Sequence, residues 1–169
     1  MKLVVGVACA AALVAGCRTG TVEGEAQPAS GITEPTYSPC DDIPDEALVA
    51  VGVDPATESR DIQGVSIPGW KVCRWTSSGH FLSVYSTMHT LEDVRRDPQN
   101  EEFADIAVGQ RPAVQFRLVS DVRRSGCDVA MESAGGTVIV SVTEGKIPLP
   151  DPCEVARDAA LGMMSWIPE

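Results

Sequence analysis

The sequence has few of the residues on which common catalytic and metal sites depend. Its 169 residues include two histidines, and no two cysteines form a C-x-x-C pair. Zinc sites use closely spaced cysteine and histidine ligands, so the sequence predicts no metal site. It also lacks the G-x-S-x-G and S-x-x-K patterns of serine hydrolases and the glycine-rich loop that binds phosphates. We therefore predict a non-catalytic protein that needs no cofactor.

Positive charge and aromatic side chains are also scarce. The chain has 13 Lys and Arg residues against 24 Asp and Glu residues, and only 5% of it is aromatic. No stretch alternates aromatic with basic residues, as surfaces that bind single-stranded nucleic acid do. An acidic surface repels the phosphate backbone, so we exclude nucleic acid as a partner.

The apolar run near the N-terminus is too short to span a bilayer as a helix. It covers residues 3–14 and leads into Leu13-Val14-Ala15-Gly16-Cys17,. This segment resembles the bacterial lipobox, in which the chain is cut before a cysteine that carries a diacylglyceryl group. We predict that residues 1–16 are a lipoprotein signal peptide and that Cys17 is lipidated. An ordinary secretory signal that happens to contain a cysteine is the alternative.

The residues after the predicted cleavage site divide into a tether and one domain. Cleavage removes 16 of the 169 residues, with Lys2 and no acid, and leaves 153 residues with a formal charge of −12. Residues 17–36 comprise the lipidated Cys17 and a segment of small and polar residues, whose composition predicts a disordered tether. Residues 37–169 have the length of a single domain. We expect this domain on the extracytoplasmic face of the cell membrane, anchored through Cys17.

The remaining cysteines favour disulfides. Cys9 lies within the signal peptide and Cys17 is assigned to lipidation, so four cysteines are left for the exported domain. These are Cys40, Cys73, Cys127 and Cys153. Disulfides form and persist outside the cytosol, which predicts two bridges. Four cysteines allow three pairings, and their positions alone do not choose among them.

The hydrophobic pattern of the domain predicts an α+β fold, with helices packed on an antiparallel sheet. Short turns separate most of the predicted strands, and neighbouring strands joined by short turns run antiparallel. The predicted strands are residues 70–76, 81–88, 106–108, 113–119, 127–132 and 137–143. Helix-start patterns follow Pro44, Thr90 and Asp151,. Residues 54–69 contain several turn signals and are predicted to be a loop.

Two tryptophans and both histidines are the candidate site residues outside the cysteines. Trp75 shares a strand face with Cys73, which favours packing against a disulfide. Trp70 follows Pro68 and Gly69 in a predicted loop and is the better candidate for contact with a ligand. His80 lies in a predicted turn and His89 at a strand end, where surface imidazoles are expected.

Several motifs together resemble a known family. After the lipobox and the tether come Tyr37-Ser38-Pro39-Cys40-Asp41-Asp42-Ile43-Pro44, Gly52-Val53-Asp54-Pro55, Cys73-Arg74-Trp75, the lone Cys127, and Asp151-Pro152-Cys153. The whole resembles the actinobacterial lipoprotein family of unknown function that includes LprB- and LprC-type mycobacterial lipoproteins. It is also loosely similar in layout to the two-bridge sensor domains of mycobacterial receptor kinases.

That resemblance implies an actinobacterial cell envelope, one exported domain and two disulfides, and it supplies no catalytic residue. Within this framework we predict that Cys40 pairs with Cys73 and Cys127 with Cys153. The predicted function is a lipid-anchored envelope lipoprotein whose domain binds an unidentified ligand or partner. A hydrolase acting on envelope material and a structural spacer without a ligand are the alternatives.

Overall fold

The computed structural model describes residues 33–62 and 64–169. The predicted signal peptide, Cys17 and the tether up to residue 32 lie outside this range. Within it, no helix has the length and apolar character that crossing a membrane requires. The first described residues run along the domain, where the Glu34 carboxylate accepts a hydrogen bond from the Gly69 backbone N–H at 3.0 Å.

A seven-stranded antiparallel sheet dominates the described residues, in the spatial order β1-β2-β3-β7-β6-β5-β4. The strands are β1 Asp54–Arg60, β2 Trp70–Thr76, β3 His80–Thr87, β4 Asn100–Val108, β5 Arg111–Leu118, β6 Gly126–Ser133 and β7 Gly136–Glu144. The helices are α1 Pro39–Asp42, α2 Asp45–Ala50, α3 Leu91–Arg96 and α4 Pro152–Met163, followed by a 3-10 turn Met164–Trp166. The predicted α+β class is confirmed.

One face of the sheet carries the larger core. Alternate residues of the central strands point to this face and pack against α4, so each of these side chains is buried. They include Leu82, Val84, Val129, Met131, Val138, Val140 and Val142, with Ala156, Ala160 and Met163 from α4. Burial of this many branched side chains is the main stabilising contribution to the fold.

Two disulfides join the helices to this face of the sheet. Cys40 of α1 is bonded to Cys73 of β2, with Cα atoms 5.2 Å apart. Cys127 of β6 is bonded to Cys153 of α4, with Cα atoms 4.9 Å apart. The predicted pairing is therefore confirmed. Trp75 is fully buried in the same apolar cluster as Cys73.

The helix starts follow the capping signals of the sequence. Thr90 and Asp93 form a capping box at the start of α3, in which each side chain binds the other residue's backbone N–H,. Asp151 caps α4 by accepting a hydrogen bond from the Cys153 backbone N–H at 2.9 Å,. These local interactions satisfy backbone donors that the first helical turn leaves unpaired.

The expected loop over residues 54–69 is wrong in its first part, because β1 forms there and pairs with β2. All but one of the β1 residues are exposed, so this edge strand has no buried face that could produce an alternating sequence pattern. The strand β4 begins at Asn100, six residues before the predicted start. Its pairing with β5 is interrupted between Glu101 and Ala104, and Glu102 has φ +56°, which breaks the alternation,.

Candidate functional site

The second face of the sheet is only partly covered and contains a groove. The short helix α3 lies over one part of it, against β4 and β6. Beside α3 the face is open to a groove of about 560 Å³. Its walls are Trp70, Tyr85, His89, Asp93, Val94, Arg96, Asp97, Gln99, Asn100, Phe116, Leu118, Asp128, Ile139, Ser141 and Thr143. We call this the α3 groove.

Apolar packing, a hydrogen bond and an ion pair between Arg95 and Asp105 hold the wall formed by α3. Val94 is 6% exposed and packs in a small cluster with Phe116 and Ile139 of the sheet. The Asn100 side-chain amide donates to the Val94 backbone carbonyl at 2.9 Å. Because α3 has only six residues, these contacts and the capping box hold it in place rather than helix propensity,.

The opposite wall is aromatic. The Trp70 ring stands edge-on to the Tyr85 ring with centroids 6.4 Å apart, and the His89 ring lies 5.6 Å from it at a tilt of 42°. The Thr87 hydroxyl donates to the Gly69 carbonyl at 3.1 Å. The Thr87 hydroxyl oxygen also accepts a hydrogen bond from the His89 backbone N–H at 3.2 Å. One buried threonine therefore positions the segments that carry both Trp70 and His89.

The floor of the groove contains one carboxylate. Asp128 of β6 lies between Ser141 of β7 and Phe116 of β5 in the pairing register. It is only 8% exposed. Burial raises the pKa of its carboxyl to about 6, the Asp121 charge acts in the same direction, and a hydrogen bond from Ser141 acts against it,. Among the described residues, no lysine or arginine forms an ion pair with it.

The Asp128 charge also acts on Tyr85. Burial raises the pKa of the Tyr85 phenol, and the Asp128 carboxylate raises it further. The phenol therefore stays protonated at neutral pH and keeps its hydroxyl as a hydrogen-bond donor. The groove combines aromatic and aliphatic walls with one buried acid and neutral hydroxyl groups.

The candidate residues predicted from the sequence lie in different parts of the fold. Trp70 is half-buried in the wall of the α3 groove and His89 is exposed beside it. His80 is not in the predicted turn but is the first residue of β3, where Ser77 binds its ring at 2.9 Å and burial lowers its pKa. The four cysteines lie on the helix-covered face, away from the groove. A role for Trp70 in ligand contact stays a prediction.

One group of possible metal ligands occurs among the described residues. It comprises Cys40, Glu58 and Cys73, whose ligand atoms lie within 4.8 Å of one another. The two sulfurs are bonded to each other. A disulfide has no thiolate to donate, so this group offers a metal only the Glu58 carboxylate.

A second depression, of about 240 Å³, lies near α1. Two of its charged side chains pair with each other, because the Arg60 guanidinium binds both carboxylate oxygens of Asp41 at 2.8 and 2.9 Å. That contact holds the pKa of Asp41 well below its usual range. The ion pair links α1 to β1 across the depression, which offers little apolar surface.

Sequence reasoning did not select Asp128, Tyr85 or Phe116. The available signal was the stretch Cys127-Asp128-Val129-Ala130-Met131, where one acid interrupts an apolar strand. In a strand, side chains alternate between the two faces, so Asp128 had to point away from the Cys127 disulfide. That it reaches a covered groove rather than solvent depends on α3, which comes from a distant part of the chain.

Comparison with known proteins gives one family. No curated protein and no solved structure shows a significant match to the chain. Residues 12–164 match the family described as "Protein of unknown function (DUF3558)". The match covers the described domain from its first strand to the C-terminal helix and extends into the segment before it. The chain belongs to the DUF3558 family.

Proposed function

We propose that this protein is a lipid-anchored extracytoplasmic binding module whose α3 groove holds a small ligand. The observation that carries the proposal is the groove itself. Its volume of about 560 Å³ falls within the range of about 300–1,000 Å³ that is typical of small-molecule sites,. Most of its exposed lining surface is apolar, as in such sites, although nine of the fifteen lining residues have polar side chains,.

The contrast between the two faces of the sheet supports this proposal. On the helix-covered face, Trp75 and Leu82 are fully buried and leave the core filled. On the other face, α3 covers only part of the apolar surface, and Tyr85 and Trp70 are left half-buried. An apolar surface that the fold leaves accessible beside a buried acid is suited to a ligand.

Binding of the neutral apolar dye Nile red tests the groove. We expect the native protein to increase and blue-shift the dye's fluorescence. Ser141→Tyr fills the floor and Thr143→Trp fills the exposed mouth, so both should weaken binding by roughly tenfold or more. Ser165→Tyr, an exposed position on the helix side, is the matched control.

Folding of each variant is checked by circular dichroism and thermal unfolding. Because Thr143 is exposed, Thr143→Trp should fold even if Ser141→Tyr does not. Equal dye binding by native protein, Thr143→Trp and the Ser165→Tyr control would contradict a binding role for the groove.

The anchor is a second part of the proposal. The Leu13–Cys17 lipobox pattern supports lipidation, and two disulfides favour an oxidising compartment,. The motifs around Cys40, Cys73 and Cys153 support the narrower assignment to LprB/LprC-type actinobacterial lipoproteins. We expect a fatty-acid label and membrane association in the native protein. Both should be lost in Cys17→Ala, and labelling of that variant would contradict the assignment.

A hydrolase acting on envelope material is the alternative, because a hydroxyl (Ser141), an imidazole (His89) and a carboxylate (Asp128) line one groove. This alternative predicts turnover of a simple ester such as p-nitrophenyl butyrate, and loss of that turnover in Ser141→Ala. The binding proposal predicts no turnover by either protein.

A further inference from the structure

The charge in the α3 groove is unbalanced. Its charged lining residues are Asp93, Asp97 and Asp128 against the single cation Arg96. Arg96 already pairs with Glu92 one turn earlier in α3, at 2.9 Å. The groove therefore presents net negative charge to anything that enters it, and neutral or anionic ligands gain nothing from this field.

The most buried of these acids forms no ion pair among the described residues. Asp128 lies on the floor at 8% exposure, and its pairing neighbours are Ser141 and Phe116. A buried carboxylate costs stability unless a positive charge or several hydrogen bonds compensate it. The neighbouring Ser141 hydroxyl offsets this cost only in part, since the pKa of Asp128 stays raised. A cationic ligand would supply the missing charge.

The aromatic wall suits the same kind of ligand. The Trp70 and Tyr85 rings meet edge to face, line the groove and are only partly buried, so they present aromatic surface to an occupant,. Cations bind to the faces of Trp and Tyr rings, most strongly where water is excluded. A groove lined by aromatic rings and a buried carboxylate is suited to an organic ammonium group, because both attract a cation.

We propose that the α3 groove binds an organic cation, with its ammonium group paired to Asp128 and its apolar body against Trp70 and Tyr85. This rests on the proposed binding function and names the chemical class of its ligand. The class is a primary amine or quaternary ammonium attached to an apolar or aromatic group of small-molecule size.

Binding should weaken in acid as Asp128 becomes protonated. The groups that face Asp128 are Tyr85 from β3, Ser141 from β7, Arg117 from β5 and Asp121 from the loop before β6. Asp93, Arg96 and Asp97 line the groove from α3 and its end, and His89 lines it from the segment before α3. The Thr90 hydrogen bonds lower the pKa of Asp93, so Asp93 keeps its charge as Asp128 titrates.

Three probes of one shape test the proposal: naphthylmethylamine, naphthylmethanol and naphthoate. They are titrated into the complete exported chain carrying Cys17→Ala, by calorimetry at about pH 7.5. We expect the amine to bind at least about tenfold more tightly than the alcohol, and naphthoate to bind most weakly. Between about pH 7.5 and pH 5 the amine's advantage should shrink several-fold while the alcohol's affinity stays constant.

Asp128→Asn keeps the size of the side chain and removes its charge. In this variant the amine should bind no better than the alcohol. Asp158→Asn makes the same change of charge on the exposed side of α4 and should keep the preference. In His89→Gln the amine's advantage should still fall by the same factor between the two pH values.

The outcomes separate the two proposals. If the alcohol displaces Nile red but the amine has no advantage, or keeps it in Asp128→Asn, the cation proposal is overturned and the binding groove stands. If none of the three probes binds but Nile red binding is weakened by Thr143→Trp, the cation proposal fails alone. If Nile red also binds equally to native protein, Thr143→Trp and Ser165→Tyr, both proposals fail.

Discussion

At the scale of single residues, Asp128 is the position where the fold and the proposed site make opposing demands. An isosteric asparagine would give the strand the same shape without a buried charge. Burial instead raises the pKa of the Asp128 carboxyl from 3.8 to about 6. A group that reduces stability and faces a groove is a candidate for a functional role.

The pKa of Asp128 predicts how stability changes with pH. Its folded-state pKa is the higher one, so the native state binds this proton more tightly, and the resulting stabilisation is complete below about pH 4. It is lost as pH rises through about 6, a difference of about 3 kcal/mol over the two-unit shift,. Asp128→Asn should therefore raise the free energy of unfolding by about 1–3 kcal/mol at pH 7 and change it little at pH 4.

Urea unfolding at the two pH values measures this effect. Asp158→Asn, which removes an exposed acid, serves as the control. If Asp128→Asn changes the free energy of unfolding equally at pH 4 and pH 7, the buried carboxyl does not titrate as described.

At the scale of elements, the start of β7 depends on close approach to the end of β3. A Cβ atom on Gly136 would lie 1.9 Å from the Thr87 carbonyl oxygen and 2.9 Å from the Met88 Cα. Both are backbone atoms, so neither can move without shifting the strand. This glycine sets how closely β3 and β7 can pair, and the segment that follows Thr87 carries His89 of the groove.

Gly136→Ala should lower the free energy of unfolding by about 2 kcal/mol or more, because the added methyl group overpacks against backbone. Gly79→Ala is the matched control, since a Cβ there meets no atom within 4 Å. Chemical unfolding followed by tryptophan fluorescence compares the two variants. Similar stabilities would show that the β3–β7 contact can relax.

Some of the helices and strands were predictable from the sequence and others were not. The starts of α3 and α4 depend on hydrogen bonds between residues no more than three apart, so the sequence shows them directly. The edge strand β1 forms only because its backbone pairs with β2, and exposed side chains leave no pattern. The first half of β4 was not predictable from the sequence either, because the alternation of side chains breaks at the bulge at Glu102.

At the scale of the whole molecule, the sheet separates a stabilising face from the face that carries the α3 groove. Both disulfides and α4 lie on one side, and α3 with its groove lies on the other. The two sides share strands but not side chains, because alternate residues point in opposite directions. Changes to the disulfides should therefore affect stability more than the groove.

Removal of one disulfide tests this separation. Cys127→Ala with Cys153→Ala opens a link that spans 26 residues, and Cys40→Ala with Cys73→Ala opens one that spans 33. On the chain-entropy account each pair should lose about 3–4 kcal/mol of unfolding free energy. Under conditions where each variant remains folded, Nile red should bind with nearly native affinity. A large loss of dye binding in folded variants would show that the two faces are coupled.

The sequence by itself determined what depends on local chemistry or on alternation along one strand. Capping residues set the starts of α3 and α4, the strand pattern set the α+β class, and an even number of cysteines favoured two disulfides. The tertiary structure decided what depends on distant segments. It brought α3 onto the sheet face opposite the disulfides, so that Asp128, Tyr85 and Trp70 came to line one groove. Their positions in the sequence are up to 58 residues apart, from Trp70 to Asp128, and only the pairing order of the strands brings them together.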